Sequence, residues 1–208
     1  ALWDGVEKSA IKVIKGKDPT ITDEDFKKLL PLHPYAAYLL KIIAKDISSN
    51  QRTIFQFLCG DEGNEARTNF RWFIDRFHYD YGNWNYLTAD YLWDYFFLAT
   101  ENPDFDSIFT NAVSHYNNYI SVCNDDDSAK SLNKQRVLKV TLLLAALQTK
   151  NGADAHIGAT SLMRPTLINI KACFAGTPLE SNVAVILDEF EKKGVFGKIE
   201  NANEIFYV

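Results

Sequence analysis

Arg52 stands out among the residues that could do chemistry. The run Asn50-Gln51-Arg52-Thr53-Ile54-Phe55-Gln56-Phe57-Leu58 reads as a polar stop and N-cap followed by a helix, with the arginine in its first turn. A cation gains nothing from the helix dipole at that end, so its charge calls for another partner. Two partners fit. One is a carboxylate of the chain itself, Asp46, Asp61 or Glu62. The other is a phosphate, which a fixed guanidinium binds through two parallel N–H bonds. His33 lies between Pro31 and Pro34, where an imidazole caps or packs a turn rather than ligating a metal. The histidines His33, His78, His115 and His156 are too scattered to suggest a metal site. Asp125-Asp126-Asp127 lacks the glycine and distal glutamate of a calcium loop and reads as a solvated loop. No G-x-x-x-x-G-K-[ST], G-x-G-x-x-G, H-E-x-x-H or G-x-S-x-G pattern occurs, so the sequence offers no phosphate loop and no familiar catalytic motif.

These residues need elements to hold them. Pro31 and Pro34 bracket a turn, and Pro34 suits the first position of a helix, where its missing N–H costs little. The helix 35–47 keeps Ala36, Leu39, Leu40, Ile43 and Ala44 on one stripe. Helical spacing also marks 1–14, 22–30, 65–77, 89–99, 105–122 and 131–147, the last being the most apolar. After it come helices 165–174 and 181–193, with Gly194 as a natural C′ residue, then strands 195–199 and 204–208. Helix, helix, helix, β-hairpin is the order of a winged helix. The expected fold is therefore mainly α: a helical bundle over 1–130, then a winged-helix-like domain over 131–208 ending in a small β-hairpin.

The block Pro31-Leu32-His33-Pro34, an apolar helix, and then Asn50 to Leu58 resembles the segment that follows the nucleotide-binding core in large bacterial P-loop ATPases of the AAA+ or STAND kind, those of BREX-like phage-defence systems among them. The resemblance rests on about thirty residues; elsewhere only the helical character matches. It implies that Arg52, with Asn50 and Gln51, senses the nucleotide of an ATPase core, that Pro31, His33 and Pro34 form a structural motif, and that residues 1–130 are lid-like. For the parent protein it implies ATP and magnesium; none is expected in this segment itself. The implied role is non-catalytic, coupling nucleotide state to contacts with the upstream core and other protein domains. A winged-helix nucleic-acid-binding module and a plain helical scaffold are the alternatives.

Composition narrows the classes. The chain has 208 residues, 47% of them hydrophobic, enough for a substantial core. A net charge of −5 gives no global attraction to nucleic acid or anionic membrane. The expected recognition helix 181–193 carries Asp188, Glu189 and Glu191 against Lys192 and Lys193, which argues against base readout and for protein–protein contact. The aromatic belt from Phe70 to Phe97 has few interleaved basic residues, so core packing explains it better than a nucleic-acid stacking platform. No apolar run approaches the roughly 20 residues of a membrane span. Cys59, Cys123 and Cys173 are expected to be free buried thiols in a reducing cytoplasm. The starting Ala1 and the strand-like end at Val208 suggest a piece of a larger protein.

Overall fold

The computed structural model describes residues 2–47, 54–60, 68–78, 85–98, 106–151, 159–201 and 204–207. The chain is mainly helical. It opens with α1 (Leu2–Val6), a π segment (Glu7–Ile11) and α2 (Lys12–Lys17). Next comes α3 (Asp23–Lys27), started by a capping box in which the Thr22 hydroxyl accepts from the Asp25 N–H and the Asp25 carboxylate accepts from the Thr22 N–H. It stops at Lys27, short of the expected Leu30, and the chain turns into a cis Leu30–Pro31 peptide.

Helix α4 (Pro34–Ile47) begins at the proline, and Ala36, Leu39, Leu40 and Ile43 of the expected stripe are buried. Helices α5 (Ile54–Cys59) and α6 (Phe70–Arg76) pack on each other. Asn69 caps α6, accepting from the Trp72 N–H and donating to the Gly60 carbonyl. The expected start of that helix at residue 65 lies outside the described residues. Helix α7 (Ala89–Trp93) runs into a second π segment (Asp94–Leu98), so the expected helix changes winding halfway. The wider turn lets Tyr95, Phe96 and Phe97 all reach the core in succession.

Helix α8 (Ser107–Tyr119) is capped by Asp106 and ends in a 3₁₀ turn (Ile120–Cys123). Helix α9 (Ser128–Lys150) is longer than expected because Asp127 caps it, its carboxylate accepting from the Ala129 and Lys130 N–H groups. Residues 125–127 are exposed, as a solvated loop is, and Asp127 serves as the cap besides. Asp125 also receives a hydrogen bond from Lys134 Nζ at 2.9 Å. A 3₁₀ turn (Ala159–Met163), α10 (Leu167–Cys173), a 3₁₀ turn (Pro178–Asn182) and α11 (Val183–Lys192) follow. Gly194 has φ +69°, as a C′ glycine does. Strands β1 (Lys198–Asn201) and β2 (Glu204–Tyr207) pair antiparallel with Lys198 opposite Tyr207. The first strand starts later than expected, because Val195 and Phe196 are buried in the core instead.

One hydrophobic cluster joins Val6, Leu39, Trp93, Leu138, Phe174 and Phe190, so the core runs without a break across the expected junction at 130/131. Helix α9 is the axis. It packs on α7 and α8 from one part of the chain and on α10 and α11 from the other. Among the described residues, no helix is long and apolar enough to cross a membrane.

Candidate functional site

The turn 31–34 is the joint of the molecule. Its backbone makes an isolated parallel bridge: the His33 N–H donates to Leu87 O at 3.0 Å and the Leu87 N–H donates to Pro31 O at 3.0 Å. The His33 side chain is fully buried and uses both nitrogens. Nδ1 accepts from the Tyr35 N–H at 3.2 Å, which makes His33 the N-cap of α4. The proton therefore sits on Nε2, which donates to the Ala175 carbonyl at 3.1 Å, 142 residues away. Burial pushes the imidazole down to about 4, against the opposing pull of the Ala175 hydrogen bond and the Asp90 charge. His33 is a neutral structural group at pH 7, as the two flanking prolines suggest.

Neighbouring contacts fasten the same joint. The Tyr35 hydroxyl donates to the Leu162 carbonyl at 2.8 Å, and the Tyr86 ring meets His33 edge-on at 5.5 Å. Gly176 has φ +74°, and a Cβ there would lie 2.9 Å from the Gly5 carbonyl carbon. Glycine is required at 176 on both counts: the left-handed backbone and the close approach of α1.

Behind the joint lies a partly buried charge network between α7 and α9. Arg136 Nε donates to Asp90 Oδ2 at 2.8 Å, and one of its terminal nitrogens donates to Thr88 Oγ1 at 2.9 Å. Thr88 in turn donates to Asp90 Oδ1 at 2.5 Å. The guanidinium lies over the Phe174 ring at 5.4 Å. Burial alone would lower the Arg136 pKa, but the charge and hydrogen bond of Asp90 hold it above its usual value. One turn along, Lys139 Nζ sits 2.7 Å from Asp94, whose carboxyl is pushed up by burial despite that lysine. Burial also raises the Cys173 thiol and the Tyr35 phenol well above their ordinary values, leaving both protonated.

The expected site residues fall into two sets. Pro31, His33 and Pro34 are brought together with Leu87, Leu162 and Ala175. Asn50, Gln51 and Arg52 lie outside the described residues, as do Asp61, Glu62 and His156. His115 Nε2 donates to Val195 O at 3.0 Å and its ring stacks on Phe196, while His78 is exposed. Cys123 and Cys173 are buried, but Cys59 is exposed at the end of the short helix α5, correcting the expectation of three buried thiols. Phe57 fills the core beside Tyr95 and Phe96, as do the aromatics Phe73, Trp93 and Phe97 of the belt. Among the described residues, no group of three His, Cys, Asp or Glu side chains is placed to hold a metal ion.

The Asp90–Arg136 and Asp94–Lys139 pairs were not singled out by motif reading. A signal exists: charges at 134, 136 and 139 inside the most apolar helix, and aspartates four apart at 90 and 94. A buried helix face carries charge only when partners face it. Comparison with protein-family models, with curated proteins and with solved structures finds no match.

Proposed function

We propose that this chain is a non-catalytic segment of a larger P-loop ATPase of the AAA+ or STAND kind, and that it couples nucleotide state to partner contacts. ATP and magnesium bind the parent's own phosphate loop, in the cytoplasm, in a phage-defence setting. Arg52, with Asn50 and Gln51, faces the nucleotide. Helices α9, α10 and α11 with the two strands act as a winged-helix-like relay that contacts protein rather than DNA.

The observation that carries the reading is the joint at His33. A turn in the first sixth of the chain is hydrogen-bonded to carbonyls at 162 and 175 through Tyr35 and His33. Rigid connection of this kind is what a relay needs, since a displacement of α4 is passed to α10 through buried contacts. The protein-contact reading is supported by α11, where Asp188 and Glu191 lie within 4 Å of Lys198 and where Val185 is exposed. Lys193 and Lys198 beside α11 are engaged by its own carboxylates rather than presented to DNA phosphates.

The test is the ATP turnover of the parent protein. Arg52→Ala should lower it by 10-fold or more, on the order expected when a phosphate-directed arginine is lost. The 208-residue chain alone should show no turnover. An unchanged rate in the parent variant removes the nucleotide-sensing role. Sub-micromolar DNA binding by the chain, with a steep salt slope, replaces the relay with the nucleic-acid-binding alternative.

A further inference from the structure

The His33 side chain does two jobs, and a single proton undoes the first of them directly. Nδ1 caps α4 and Nε2 holds the turn 174–177. A proton can enter only at Nδ1, because Nε2 already carries one. Protonated Nδ1 is a donor aimed at another donor, the Tyr35 N–H, and the new charge stands at a helix N-terminus, where the dipole disfavours a cation. It is also fully buried.

The surroundings offer little compensation. Asp90 of α7 is the anion whose field reaches His33, but its carboxylate is already engaged by Arg136 of α9 and by Thr88. On α10, the Cys173 thiol stays neutral, as does the Tyr35 phenol on α4. Burial likewise pushes the Tyr86 phenol up to about 12, with Asp4 of α1 adding to the shift. The turn 174–177 presents a backbone carbonyl, Ala175 O.

We propose that His33 is an acid-operated latch: a proton on Nδ1 uncaps α4 and drives the buried, charged ring toward water, which carries Nε2 off the Ala175 carbonyl and frees the turn 174–177 from the turn 31–34, while α9, α10 and α11 keep their own hydrogen bonds. The joint between the two parts of the chain opens first and the helices melt later. This goes beyond the ATPase reading and does not depend on it.

The experiment is residue-resolved hydrogen exchange on the whole chain from pH 7 to pH 4, corrected for intrinsic exchange rates. In the wild type, the opening constant of the Tyr35 amide should rise about tenfold for each pH unit below 6.5, the slope of one linked proton. Amides in the middle of α9 should stay protected over the same range. In His33→Asn, whose side-chain oxygen caps without titrating, the Tyr35 opening constant should be flat with pH. The same slope in the variant overturns the latch, and so does opening of α9 in step with Tyr35. If the variant does not fold, the His33 ring-proton titration in the wild type decides. A midpoint near 6.5 with the Tyr35 amide still protected contradicts the latch; a midpoint well below 6.5, accompanied by loss of that protection, bears it out.

Discussion

Replacing Asp90 by alanine should be among the most damaging single changes on the α7–α9 interface. The Asp90 side chain is 5% exposed and that of its partner Arg136 is 21% exposed. Removing one member of a buried pair strands the other charge, at about 3–5 kcal/mol, against about 0–1 kcal/mol for a surface pair. Arg136 keeps some contact with water, and the Asp94 carboxylate adds to its field. Both effects place the cost near the lower end, about 3 kcal/mol. Thr88 loses its acceptor as well, while its own acceptance from Arg136 remains. In urea, with a slope of about 2 kcal/mol/M, the midpoint should fall by roughly 1.5 M. The double variant Asp90→Leu with Arg136→Met should recover most of that loss, because an apolar pair of similar volume needs no partner. A midpoint shift below about 0.3 M for Asp90→Ala would refute the reasoning, as would a double variant that loses the sum of the two single costs.

Leu143 and Leu144 are fully buried on α9, so truncating either to alanine should cost about 2–5 kcal/mol in urea unfolding; a shift within error for both would show that α9 is not core. Gly176→Ala forces a β-carbon into the left-handed region and against Gly5, and should cost more than about 1 kcal/mol, read as a lowered thermal midpoint. Stability should also depend on pH through His33. Its folded value, about 4, lies below its ordinary 6.5, so the folded state binds fewer protons in that window. The contribution is complete above pH 6.5 and is lost as pH falls toward 4; urea midpoints at pH 7 and pH 4.5 for wild type and His33→Asn isolate it.

Local signals in the sequence found most of the helices. The Pro-Leu-His-Pro turn, the start of α4 at Pro34 and the start of α3 after Thr22 follow from φ restriction and short-range hydrogen bonding. Gly194 ended α11 as its missing β-carbon allows. Winding was less legible. A reading at 3.6 residues per turn cannot foresee the π segment at Asp94–Leu98, because its period is set by the demand to bury Tyr95, Phe96 and Phe97 together. The joint was half legible. Two prolines around a histidine announce a structural imidazole, but its partner Ala175 is a backbone carbonyl, and any residue could supply that. The Asp90–Arg136 pair was hidden for a different reason: each residue alone looks like ordinary helix charge, and only the packing of α7 on α9 brings them within 2.8 Å.

The most direct test of the proposed coupling is hydrogen exchange of α10 and α11 in the parent protein, with and without ATP and magnesium. The account expects nucleotide to change protection in both helices, and expects Gly176→Ala, which disturbs the joint, to weaken that response while leaving nucleotide affinity unchanged. Identical exchange in α10 and α11 with and without nucleotide, in a protein shown to bind it, would contradict the account.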